Sequence, residues 1–129
     1  MPTDDDLRAA GKEVQGKLWP ATLNAPTGQF PAAKLAPEFF DYVQQTAFGM
    51  IWTRPNLATR DRSLITCSML AALGHHEELR AHLAGALNAG VTREELIEAM
   101  MQVAVYAGVP AANTAFHIAG EELAAIAAP

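Results

Sequence analysis

The chain has 129 residues, half of them hydrophobic and only 18% charged, with a formal net charge of -5 and a pI near 5.2. That balance sets aside an electrostatic grip on nucleic acid or on an anionic lipid surface, and no apolar run approaches the length of a membrane span. The length fits one domain, 1–129, with a real core but little room for a deep pocket enclosed by one subunit, so the apolar excess points to an oligomer with a site between copies.

The first predicted helix is capped by Thr3, with Asp6 three residues on, and runs to about Lys17; acids suit its positive end. Its three consecutive acids, Asp4 to Asp6, replace the basic and apolar regions of a signal peptide, and the expectation is a cytoplasmic protein. From Trp19 to Pro37 four prolines, Pro20, Pro26, Pro31 and Pro37, with Gly28 among them, predict an extended connector without regular structure. Residues 1–36 thus form an N-terminal helix and proline-rich connector ahead of a helical core over 37–127. Pro37 opens a second helix carrying Phe39, Phe40, Val43 and Ala47, which Gly49 loosens at its end.

Thr59 caps a third helix, with Leu64, Cys67, Leu70 and Leu73 apolar, and Gly74 stops it. A fourth starts near His75 and ends at Asn88 to Gly90. Thr92 to Glu95 has the form of a capping box and begins a fifth, to about Ala107; Gly108 breaks it and Pro110 begins a sixth. With no strand signal, the fold class is all-α, a bundle of about six helices.

The densest polar cluster is His75 to His82, where the helical period sets His75, Glu78 and His82 on one stripe. A charged first turn is the ordinary explanation for most of it. His82 is the exception: it stands among Leu79, Leu83 and Ala86, where a buried histidine must find a partner. Glu78 one turn earlier could then set its charge and tautomer for proton transfer. His76-Glu77 begins a zinc-protease pattern that fails because Arg80 stands where the second histidine is required, so no metal site is expected. The single cysteine, Cys67, excludes an internal disulfide and reads as a small buried hydrophobe. Arg54, Arg60 and Arg62 are natural carboxylate clamps beside Trp52 and Phe48, whereas Tyr106 and His117 read as satisfied core polar residues.

Three stretches go further. Phe48-Gly49-Met50-Ile51-Trp52-Thr53-Arg54-Pro55-Asn56-Leu57 with Arg60 to Leu64, then Glu78 to His82 with Gly85 to Thr92, then Tyr106-Ala107-Gly108-Val109-Pro110-Ala111-Ala112, resemble gamma-carboxymuconolactone decarboxylases in order and spacing. The resemblance covers about Ala36 to Glu122. It implies an all-helical fold assembled as homotrimers or homohexamers, with sites near subunit contacts and no cofactor. It also implies decarboxylation of a small carboxylated unsaturated lactone in aromatic-compound degradation. His82 and Glu78 would be catalytic, and Arg54, Trp52, His75 and Tyr106 would bind substrate. The alkylhydroperoxidase D-like peroxidases of the same family use two cysteines; those positions match His75 and Glu78 here, so that redox cycle is not available. Two departures, the segment Pro20 to Leu35 and Ala107 where many decarboxylases carry cysteine, leave room for a related lyase or isomerase, or for a non-catalytic oligomeric binding protein.

Overall fold

A computed structural model describes residues 1–20 and 32–127. Helix α1 spans Asp4–Leu18, α2 Ala32–Leu35, and α3 Pro37–Val43; α3 runs directly into a π-helical segment, Gln44–Ile51. Four longer helices follow: α4 Thr59–Leu73, α5 His76–Asn88, α6 Arg93–Ala107 and α7 Val109–Ala127. Among the described residues there is no strand, and no helix is long and apolar enough to cross a membrane.

All six expected helices are present, and the differences have local causes. The short helix α2 occupies part of the stretch expected to be extended, while Pro26, Gly28 and Pro31 lie outside the described residues. The second expected helix changes to i→i+5 bonding in its latter half, as in Trp52 N–H to the Ala47 carbonyl at 2.9 Å. Such wide turns carry no distinct apolar period and recur at functional sites. Thr59 is not the cap of α4: the N-cap is Ala58, without a side-chain bond, and Thr59 is the first helical residue. Thr3–Asp6 and Thr92–Glu95 do form reciprocal capping boxes, and Gly74 ends α4 in the left-handed conformation, φ 75°.

The main core joins α4 to α7 through Cys67, Leu79, Leu83, Leu96, Met100 and Ala115, each at most 1% exposed. A second, smaller core holds Val14 and Leu18 of α1 against Phe48. Here α1 crosses the π segment with almost no gap. A Cβ on Gly11 would stand 2.1 Å from the Gln44 carbonyl oxygen, and one on Gly49 2.4 Å from that of Leu7. Gly49 is therefore a close-packing residue and not a helix terminator. Arg8 fastens the same crossing with two bonds to Asp41, at 2.7 and 3.0 Å. At the far end of α1 the chain is tied to α5: Asn88 Nδ2 donates to the Leu18 carbonyl at 2.6 Å, and Trp19 Nε1 to the Ala81 carbonyl at 2.8 Å.

Candidate active site

These tethers leave a cavity of about 550 Å³ where α1, α2, α3 and the π segment face α5. Its walls are Trp19, Phe40, Val43, Phe48, Ala33 and Ala81, with Gln15, Gln44, Asp41, Glu78 and His82 as the polar groups. The i→i+5 winding sets Gln44 and Phe48 on the same side of the π segment, and Gln44 Nε2 donates to Gln15 Oε1 at 2.7 Å. Asp41 is fully engaged by Arg8 and by Gln45 Nε2 at 2.8 Å, and the Arg8 guanidinium holds its carboxyl below the usual carboxylate range.

Among the described residues, His82 is the one histidine of this wall. Trp19 meets its ring edge-on with centroids 5.1 Å apart, and Trp52 stacks on it at 5.9 Å. Gly85, one turn further along α5, leaves space for Trp19: a Cβ there would lie 3.2 Å from its Nε1. His82 as a whole keeps some exposure, but its Nδ1 is buried without a hydrogen-bond partner. Nε2 is thereby the nitrogen left for a molecule in the cavity. Burial pushes the pKa of His82 down to about 4, and the Glu78 carboxylate opposes that shift without overcoming it. The ring is neutral at neutral pH, in an apolar setting where added charge is strongly felt.

The expected site residues fall into two groups. His82 and Glu78 share the cavity, and Trp52 backs the His82 ring. Arg54 lines a different depression, on α1 and the loop before α4, with Trp52 among its walls; His75 is exposed at the N-cap of α5. Tyr106 is 82% exposed near the end of α6. Arg60 is bound to Glu95 and Asp61, and with Thr92 holds the Glu95 carboxyl down to about 2, so it secures the start of α6. Cys67 is fully buried, and desolvation pushes its thiol up to about 12. Among the described residues, no three His, Cys, Asp or Glu side chains converge as a metal site.

Sequence reasoning missed Trp19, Gln15 and Gln44. Trp19 marked only a helix end, and its partner Ala81 is 62 residues away. The spacing of Gln15 and Trp19 on α1, one turn apart, is the signal that could have paired them.

Residues 37–121 match the carboxymuconolactone decarboxylase family. A 4-carboxymuconolactone decarboxylase of Acinetobacter baylyi is 44% identical over 84 residues, covering 65% of this chain and 63% of that enzyme. A nitrosuccinic acid decarboxylase of Metarhizium robertsii is 39% identical over 70 residues, 54% of this chain and 49% of its own length. An uncharacterized 15.0 kDa protein of Paracoccus denitrificans is 32% identical over 88 residues, 67% and 66% respectively. The chain thus matches less than two thirds of the length of each of these relatives.

Proposed function

The chain belongs to the carboxymuconolactone decarboxylase family, and from that premise we propose that it decarboxylates a small carboxylated unsaturated lactone of the 4-carboxymuconolactone type. The observation that carries this reading is His82: an imidazole in the wall of an apolar cavity, one nitrogen sealed and the other open.

The chemistry needs no cofactor. The bond to the departing carboxylate breaks and carbon dioxide leaves. The electron pair spreads into the conjugated lactone and its carbonyl oxygen, and one proton is then added at carbon. Apolar walls favour the first step, because a localised carboxylate loses solvation that the dispersed transition-state charge needs less. His82 supplies the second. Neutral in the empty site, it gains basicity beside an anionic substrate, takes up a proton from solvent at Nε2, and delivers it to the carbanionic carbon, which leaves the ring neutral again. Glu78 supports the protonated ring electrostatically, and Trp52 fixes its orientation.

Arg54, His75 and Tyr106 do not line the cavity, so their proposed substrate contacts would be made across a subunit contact. Exposed apolar side chains support assembly as a homotrimer or homohexamer: Ile65, Met69 and Leu73 recur along α4, and Val105, Tyr106 and Val109 cluster where α6 meets α7. The test is an ultraviolet assay of the purified protein with fresh 4-carboxymuconolactone, with and without chelator. Chelator-insensitive loss of substrate with release of carbon dioxide is expected, and His82→Ala lowers it by about 100-fold or more. No turnover by a folded, assembled protein refutes the substrate. The nitrosuccinic acid decarboxylase among the relatives makes other small dicarboxylic acids the next to try.

A further inference from the structure

Resting on that reading, we propose that Lys12 binds the carboxylate that the substrate keeps, so that the molecule lies with its leaving carboxylate inside the cavity and its retained one at the α1 rim.

A lactone that loses one carboxylate and keeps a second must have that second charge met. The cavity wall contains no lysine or arginine; of its two acids, Asp41 is offset by Arg8, and Glu78 repels an anion. This suits the end of the substrate that must shed its charge and is hostile to the end that keeps it. Residues 21–31 hold no charged side chain, so whatever their path they bring no cation. Most of the nine lysines and arginines are engaged or face elsewhere. Arg8 holds Asp41, Arg60 holds Glu95, and Arg80 holds Glu121 at 2.8 Å. Arg62 donates to the Arg54 carbonyl, while Arg54 and Lys17 line the other depression.

Lys12 differs from all of these in its place on the helix. Arg8, Lys12, Gln15 and Trp19 follow at steps of four, three and four, which puts them within about 60° of one another around the axis. Three of the four are fixed by the structure to the cavity: Arg8 through Asp41, Gln15 and Trp19 as lining residues. Lys12 sits in the middle of that stripe, exposed, and among the described residues it forms no ion pair. Lys17, on the same helix, points the opposite way.

The experiment compares wild type with Lys12→Gln, Lys17→Gln, Lys34→Gln and Arg54→Gln. Turnover of 4-carboxymuconolactone is measured together with binding of muconolactone, which lacks the leaving carboxylate, and of its neutral methyl ester. Quenching of Trp19 and Trp52, the only tryptophans, reports binding. Lys12→Gln is expected to raise KM and the muconolactone Kd about tenfold, with kcat changed less than about threefold and ester binding unchanged; Lys17→Gln leaves all of them unchanged. Turnover with a normal KM in Lys12→Gln, or a tenfold rise confined to Lys34→Gln or Arg54→Gln, overturns the assignment while leaving the decarboxylase intact. A wild type that neither turns over the lactone nor binds muconolactone overturns both. The side chain is exposed, so the variant folds; its melting temperature confirms this.

Discussion

The indole of Trp52 lies nearly parallel to the imidazole of His82, with ring centroids 5.9 Å apart and planes inclined by 22°. Trp52 comes from the end of the π segment and His82 from the middle of α5, so the contact joins the small core to the large one at His82. It also excludes water from the ring, and that exclusion is the main cause of its depressed pKa.

Opposite changes in the His82 titration follow. Trp52→Ala uncovers one face of the ring and raises its pKa from about 4 toward the ordinary value of about 6.5. Glu78→Gln removes the one charge that favours imidazolium and moves the pKa lower still. Imidazole carbon-proton shifts followed by NMR from pH 3 to 8 read both directly. Identical titration curves in the two variants and wild type would show that neither group sets the ring's environment.

The α1 crossing makes a prediction about glycines that reverses the usual helix preference. Alanine is favoured over glycine inside a helix by about 1 kcal/mol. At Gly120, exposed in α7 with nothing within 4 Å of an added Cβ, Gly120→Ala stabilises by about 0.5 to 1 kcal/mol. Gly11→Ala and Gly49→Ala place that atom 2.1 and 2.4 Å from backbone oxygens, which cannot give way without separating the helices. They destabilise by about 2 kcal/mol or more. Denaturant midpoints of the three variants decide it, and a neutral Gly49→Ala would mean that the crossing is looser than the structure has it.

What could be read along the chain was what depends on neighbours within a turn or two. The six helices followed from apolar spacing, and Thr3–Asp6 and Thr92–Glu95 from the chemistry of orphan amides. His82 stood out because its helical neighbours are leucine and alanine. What was hidden depends on partners far away in sequence. Gly49 looks like any helix-loosening glycine until Leu7 is placed against it. Trp19 becomes a cavity wall only once Ala81 accepts its indole N–H. The π winding from Gln44 leaves no apolar period to detect, yet it aims Gln44 and Phe48 together. Arg54 and Tyr106, prominent in the matched motifs, stand outside the cavity, a placement that sequence order does not encode.

Cys67 is expected to be chemically silent in the folded protein. It is fully buried in the main core, and burial holds its thiol up to about 12, so almost no thiolate exists at neutral pH and no reagent reaches it. An aromatic disulfide reagent should label no thiol in native buffer and one per chain in denaturant. Because access requires opening of the α4–α7 core, the slow native-state rate should track global stability across variants. Rapid labelling of the native protein would contradict that burial.

The histidine proposed to carry the proton weakens the fold in acid. Above about pH 6.5 the ring is neutral both folded and unfolded and contributes no pH dependence. As the pH falls below that value the unfolded chain binds a proton that the folded site, at about 4, still refuses. The unfolded state then holds more protons and stability drops. The loss continues until the folded ring also protonates near pH 4, reaching about 2 to 3 kcal/mol when the residue's residual exposure is allowed for. His82→Phe keeps a neutral aromatic ring between Trp19 and Trp52 and removes the titration. Urea unfolding of both proteins at pH 7, 6, 5 and 4 isolates the effect from the chain's other acids. The wild type should lose stability relative to the variant between pH 6.5 and 4 and hold a constant difference above that range. A difference that stays flat down to pH 4 would mean that the folded ring accepts its proton as readily as the unfolded one, and the proposed water-excluded proton carrier would fall with it.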